Sequence, residues 1–286
     1  MELKVKAAAK INIFLDILGK LDNGYHSLFM VMQSVGLYDE LTLTQTASGI
    51  KIACNNPLVP IGRDNLVYKA ADLFFKKTGI DGGLKVIIDK NIPMRAGLAG
   101  GSADAAGVLA GLNAIYDKPL SERKLRALGL EAGSDVPFCL MGGTCLAQNT
   151  GGVLSPLVPV ENCYIVLAKP NRDVSTAEAY SRADEAYLYH LDCNRMLDCC
   201  EKGDFDGICR YAGNVFEQVV EVPERVEIKR IMRENGSSLT QMSGSGPTVF
   251  GLFRKKSDAE NAAEEIKKIC DDVYVTVPVE KGTEIL

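Results

Sequence analysis

Three short segments, far apart in the chain, carry side chains that can move a proton or a phosphoryl group. Ala9-Lys10-Ile11-Asn12 sets an ammonium and a carboxamide two residues apart. On an extended chain that spacing points both to one face, with Ile11 and Ile13 on the other; a solvated face of an edge strand is the alternative. Gly133-Ser134-Asp135-Val136-Pro137 places a carboxylate at the border of an apolar run, Val136 to Leu140. There Asp135 can act as a general base or simply cap a turn. Between them lies Pro93-Met94-Arg95-Ala96-Gly97-Leu98-Ala99-Gly100-Gly101-Ser102-Ala103, followed by an alanine-rich run. Backbone amides at a helix start lack internal partners, and the helix dipole favours negative charge there. A glycine-rich turn opening a helix is therefore a phosphate cradle. The segment lacks the Gly-Lys-Ser/Thr of a Walker loop and the spacing of the dinucleotide fingerprint. A tight strand-to-helix turn without ligand would use the same glycines. A fourth segment, Met242-Ser243-Gly244-Ser245-Gly246-Pro247-Thr248, is either a close approach to a ligand or a tight hairpin.

The periodicity around these segments predicts the elements that hold them. Residues 4–8 and 10–18 read as strands, as do 26–35 and 39–45, with Asp22-Asn23-Gly24 as a turn. Such short connections favour antiparallel pairing. Residues 64–78 read as a helix capped by Asp64 and ended by Gly79. A strand over 84–88 leads into the glycine run, a helix over 102–116 leaves it, and another helix begins at Ser121. The Gly- and Pro-rich stretch 149–159 marks a boundary, giving domains 1–155 and 156–286. The second half reads as a strand (164–168), helices (176–187, 191–200 and 223–235), two strands (239–242 and 248–253), a helix (257–270) and a strand (273–277). In the helix over 223–235 the apolar face is Val226, Ile228 and Ile231. This order resembles a split βαβ sandwich.

The 286 residues suffice for one large or two smaller domains, and 47% hydrophobic with 24% charged is ordinary for a soluble protein. A net charge of −5 gives no support to nucleic-acid binding. No apolar run approaches the ~18 residues of a membrane span, and residues 1–10 lack a signal-peptide core. Nine cysteines, an odd number without a CxxC pair, read as reduced thiols of a cytoplasmic protein. Cys199, Cys200 and Cys209 are better explained as small apolar residues than as a zinc site. Two histidines, His26 and His190, exclude a histidine-rich metal centre.

Gly97-Leu98-Ala99-Gly100-Gly101-Ser102 resembles the phosphate loop of the GHMP kinases. So, in the right order, do Ala9-Lys10-Ile11-Asn12, Gly24-Tyr25-His26, residues 133–137 and Ser243-Gly244-Ser245-Gly246-Pro247. Arg95-Ala96 departs from the small residues usual in the family and bears on the loop's detailed shape. The resemblance implies an α+β, two-domain GHMP kinase fold: a ribosomal-protein-like α+β N-terminal domain and a ferredoxin-like C-terminal domain, with the site in the cleft between them. It implies a small-molecule kinase using ATP and Mg2+, without nucleic acid or membrane as partner. By the same resemblance Lys10 and Asp135 are catalytic, Asp135 taking the hydroxyl proton. Pro93 to Ala103 and Asn65 hold ATP, and Asn12, Tyr25, His26 and Tyr180 hold the substrate. No protein-only metal cage is expected. The Gly-Gly-Ser loop and Gly-Tyr-His point to the branch whose substrate is a cytidyl diphosphate ester of methylerythritol, in non-mevalonate isoprenoid synthesis. The rivals are a homoserine- or mevalonate-type kinase and a silent nucleotide-binding module. A Rossmann dehydrogenase lacks its fingerprint.

Overall fold

The longest regular elements come from the first 46 residues. β1 (Glu2–Lys20) and β2 (His26–Thr46) flank the predicted turn and pair antiparallel from Glu2↔Thr44 to Lys20↔His26. The sequence predicts two strands in each arm, whereas each arm is one long strand. The alternation breaks because the register shifts between Ala8 and Ala9 and again between Asn12 and Phe14. These irregularities kink the strands without ending them. The computed structural model describes residues 1–160 and 162–286.

β3 (Gly49–Cys54) and β4 (Gly83–Asp89) pair parallel, so the chain must cross over between them, and α1 (Leu66–Thr78) lies in that crossover. The cap of α1 is Asn65, not Asp64: Asn65 Oδ1 accepts the Val67 N–H at 2.8 Å, a bond that Asp64, one residue earlier, does not make. Gly79 ends the helix at φ 68°, as predicted. α2 (Gly100–Ile115) follows the glycine run and lies on the sheet; a Cβ at Gly111 would stand 2.1 Å from Leu43 Cδ1, so the small residues set how closely helix and sheet approach. α3 (Glu122–Ala132) leads into a helix that the pattern did not reveal, α4 (Val136–Met141), whose six residues are too few for a 3.6-residue period to register. β5 (Thr144–Asn149) pairs with the first part of β2, whose second part pairs with β4; β6 (Val153–Pro156) pairs with β5 inside the predicted boundary stretch.

Then come β7 (Tyr164–Lys169), α5 (Thr176–Glu185), α6 (Cys193–Lys202) and α7 (Phe205–Tyr211), the last unpredicted. They are followed by β8 (Gly213–Asn214), α8 (Glu224–Glu234), β9 (Leu239–Met242), β10 (Val249–Phe253), α9 (Lys256–Ile266), β11 (Asp272–Thr276) and β12 (Thr283–Ile285). β11-β7-β10-β9 form an antiparallel four-stranded sheet. Numbered along the second half, that order is fourth, first, third, second, which is the split βαβ arrangement. The larger sheet runs β12-β1-β2-β4-β3, so the last strand returns to β1. Among the described residues no helix is long and apolar enough to cross a membrane. All nine cysteines are free thiols; burial pushes Cys163, Cys200 and Cys209 up to about 12, which keeps them in the unreactive form.

One predicted face is corrected. Ile228, Ile231 and Met232 are buried against β9 and β10, but Val226 is 74% exposed. A helix turns 100° per residue, so positions 226 and 228 lie about 200° apart and cannot share a stripe. Ile228→Ala is expected to destabilise by about 2–4 kcal/mol and Val226→Ala by less than about 0.5 kcal/mol. Urea unfolding of the two variants measures this, and equal losses would contradict the packing.

Candidate active site

A cavity of about 790 Å³ brings the chemistry-bearing segments together. Lys10, Asn12, Asp135, the phosphate-loop residues Pro93 to Gly97 and Ala99 to Ser102, Asn65, Tyr25, His26 and Tyr180 all line it. Leu98 and Ala103 lie behind it, buried in the core.

β12 covers β1 only over Val5–Ala7; at Lys10 and Asn12 that side of the strand meets the phosphate loop and Ser243 instead, so this stretch is covered and the solvated-face reading fails. Lys10 is 4% and Asn12 1% exposed. A buried ammonium needs partners, and Lys10 Nζ donates to Asn12 Oδ1 at 2.6 Å and stands 3.8 Å from Asp135 Oδ2. Asp135 is the residue before α4, yet its side chain makes no cap hydrogen bond; its carboxyl is one-third exposed on the cavity side. The capping alternative is therefore not what this carboxylate does.

The glycine run folds as the strand-to-helix turn expected of it. Its amides at Gly100, Gly101 and Ser102 open α2 and have no intrahelical acceptor; the first helical bond, Ala103 N–H to Ala99 O, comes after them. Gly97 has φ +73°, and a Cβ there would lie 2.2 Å from Ser243 O. Arg95 and Ala99 adopt φ 49° and 57°, left-handed values uncommon for side-chain-bearing residues. Other segments hold the loop in this shape. Lys10 N–H donates to Leu98 O at 3.1 Å, Ser243 Oγ donates to Gly97 O at 2.9 Å, and Asn12 N–H donates to Ser243 Oγ at 3.3 Å. The fourth motif, undecided from sequence, is thus a clamp between β1 and the phosphate loop, and Gly244 and Ser245 reach the cavity wall. Arg95 is turned outward, its guanidinium on Asp173 at 2.8 Å.

At the other end His26 Nε2 is 2.6 Å from Asp184 Oδ1, and the imidazole stacks on Tyr180 with ring centres 4.6 Å apart. Tyr180 in turn meets the edge of Phe216. Tyr25, 61% exposed, flanks the same mouth. Asn65 spends both ends of its amide on the cap of α1, Oδ1 on Val67 N–H and Nδ2 on Pro60 O. It lines the cavity as part of the frame.

Two groups escaped the sequence reading. Ser243 was seen only as part of a small-residue loop. Lys90, Asp39 and Asp104 form a buried ion cluster: Lys90 Nζ contacts an Asp39 oxygen and lies 2.9 Å from Asp104 Oδ2. A signal was present at Asp104, the one carboxylate in the alanine face of α2. Nothing local pointed to Asp39, which reaches Lys90 only through the pairing of β2 with β4. Among the described residues no group of three or more His, Cys, Asp or Glu is placed to hold a metal ion.

Known proteins resemble this chain along most of its length. The chain matches the family model for the GHMP kinase N-terminal domain over residues 65–143 and that for the C-terminal domain over 196–272. It is 43% identical over 277 residues to a 4-diphosphocytidyl-2-C-methyl-D-erythritol kinase of Bacillus cytotoxicus, covering 96% of each chain. A crystal structure of 4-(cytidine 5'-diphospho)-2C-methyl-D-erythritol kinase superposes with a TM-score of 0.79 at 32% identity, over 97% of this chain and 99% of that one. Homoserine kinase from Cytophaga hutchinsonii shares the fold, with a TM-score of 0.80 at 20% identity over 100% and 97% of the two chains. With both family models matched and a relative so similar along its whole length, this chain belongs to the GHMP kinase family.

Proposed function

We infer that the protein transfers the γ-phosphoryl group of ATP to the 2-hydroxyl of 4-diphosphocytidyl-2-C-methyl-D-erythritol, giving the 2-phosphate and ADP. The observation that carries this reading is the convergence, in one cavity, of a phosphate cradle, the Lys10–Asn12–Asp135 cluster and an aromatic mouth at His26. Phosphoryl transfer depends on positioning and charge stabilisation rather than covalent chemistry by the protein. The free amides of Gly100, Gly101 and Ser102 would hold the nucleotide phosphates. The acceptor hydroxyl would lie at Asp135, which takes its proton as the new P–O bond forms and the bond to the β-phosphate oxygen breaks. Lys10, held by Asn12, would stabilise negative charge on the attacking oxygen. Tyr25, Tyr180 and His26 would hold the cytosine, two rings offering stacking faces and the third a ring nitrogen.

Magnesium belongs with ATP in such a reaction, and the donor set fits an ion held mainly by phosphate oxygens: the Asp135 carboxylate and the Ser102 hydroxyl are hard oxygen ligands lining the same cavity. When bound, the ion neutralises phosphate charge.

The test is ADP release with the cytidyl ester beside mevalonate, homoserine and galactose, with phosphorus NMR of the product. Turnover of the cytidyl ester alone, with a new monophosphate ester, is expected. Turnover of another acceptor instead would overturn the substrate assignment, and no turnover at all would favour a silent module.

A further inference from the structure

Asp184 lies on α5, one helical turn beyond Tyr180, and reaches across to the closing end of the β1–β2 hairpin. Its Oδ1 meets His26 Nε2 at 2.6 Å and its Oδ2 meets Lys20 Nζ at 2.5 Å. Lys20 and His26 are themselves cross-strand partners, so one carboxylate ties the tip of the hairpin to a helix of the second half. With Tyr180 stacked on its face and its side chain only 10% exposed, the imidazole is held in one orientation.

A carboxylate only accepts hydrogen bonds, whereas a neutral imidazole has one donor nitrogen and one acceptor. We propose that Asp184 is a positioning residue for base selection: by accepting the Nε2 proton it fixes His26 in the tautomer whose Nδ1 is a bare acceptor, suited to the exocyclic amine of cytosine and opposed to the carbonyl that uracil has there. This rests on the cytidyl reading of the cavity mouth. The donors around Asp184 hold it to that role. Hydrogen bonds from Lys20 and then His26 keep its carboxyl below the usual carboxylate range, so it stays an acceptor at neutral pH. Among the described residues Nδ1 makes no hydrogen bond within the protein, which leaves it for a ligand in the cavity that His26 lines. The tautomer is set here by the partner of the other nitrogen, the usual way a protein fixes it.

The protein has two histidines, so nitrogen NMR of the rings reads each one. In the full-length protein, at a pH where the rings are neutral, His26 is expected as the Nε2–H form. His190, whose Nδ1 lies 3.2 Å from the buried Asp16, supplies the contrasting signal. Asp184→Asn offers an amide donor to Nε2 and is expected to lower the preference for the cytidyl over the uridyl ester by about 10- to 100-fold, with KM for ATP unchanged. Lys20→Met removes the other arm of the bridge and is expected to keep that preference. An Nδ1–H form of His26 in the wild type, or an unchanged preference in Asp184→Asn, would overturn the proposal. A loss of preference in Lys20→Met as large as that in Asp184→Asn would also overturn it, reducing Asp184 to a structural tie. Failure of the wild type to turn over either nucleotide ester would instead overturn the substrate reading, and the ring NMR would still decide the tautomer.

Discussion

Asp135→Asn is expected to lower kcat by about 10²- to 10⁴-fold while leaving ATP affinity within about threefold of the wild type. The substitution keeps the shape of the side chain and removes its capacity to take a proton. It also removes the negative charge 3.8 Å from Lys10 Nζ, whose other contact, at 2.6 Å, is the neutral Asn12 amide. The phosphate cradle is built elsewhere. Its amides belong to Gly100, Gly101 and Ser102, and the bonds that shape it come from the Lys10 backbone and from Ser243. None of these passes through the Asp135 carboxyl, and an ion held mainly by phosphate oxygens loses only one of its ligands, so binding and turnover separate. Asp135 is also not holding α4 in place, since its side chain makes no cap bond and the helix is tied instead by backbone bonds such as Cys139 N–H to Asp135 O. Steady-state kinetics with the cytidyl ester and calorimetric titration with ADP check both halves. A kcat within a few-fold of wild type would remove Asp135 from the proton-accepting role. A parallel loss of ADP binding would mean that the carboxylate organises the nucleotide rather than the hydroxyl.

The parts of this site written in local sequence were legible, and those assembled by pairing were not. The glycine run announces its turn because three glycines and an alanine-rich helix are contiguous, and Lys10 and Asn12 share a face because a strand has a period of two. The order of elements in the second half resembled a split βαβ unit, but the strand order β11-β7-β10-β9 is set by pairing and could not be fixed from that order alone. Asp135 was legible as a carboxylate at an apolar border, but its exact setting depends on α4, a helix of six residues. Asp39 and Lys90 are 51 residues apart, and His26 and Asp184 are 158 apart. Each pair meets through sheet register or packing between the two halves, which no local pattern encodes. Val226 illustrates the opposite error, an apolar residue assigned to the core when its helical angle puts it in water.

Lys90→Met is expected to destabilise the protein by about 3–5 kcal/mol, because it leaves a buried carboxylate in the core without its counter-charge. The Asp39 side chain is fully buried; its Oδ1 accepts the N–H groups of Asn91 at 2.6 Å and Ile92 at 2.8 Å. Asp104 has no such support, and its buried Oδ1 has no partner. One ammonium balances only one of the two charges, so a proton belongs on the other. Burial lowers the Lys90 pKa, but the two carboxylates outweigh it and raise the value. For Asp104 burial is the largest influence and pushes the carboxyl up; Lys90 opposes this and Asp39 adds to it, leaving the carboxyl at about 8. The folded state therefore holds a proton that the unfolded chain releases near pH ~4. Below that pH both states are protonated and the contribution is fully present. As pH rises from about 4 to about 8 the unfolded chain binds fewer protons than the folded one, and stability falls by up to about 1.4 kcal/mol per pH unit. Asp104→Asn abolishes that slope, so the variant is expected to gain on the wild type steadily from about pH 5 to about pH 8. Urea unfolding across this range decides it, and parallel stability profiles would contradict the shared-proton account. The cluster also reaches the site. A Cβ at Gly100, the first residue of α2, would stand 2.8 Å from Lys90 Nζ, so the ammonium lies directly beneath the phosphate cradle. Loss of Lys90 is accordingly expected to raise KM for ATP as well as to lower stability, whereas a cluster that served only the core would leave KM unchanged in the folded fraction.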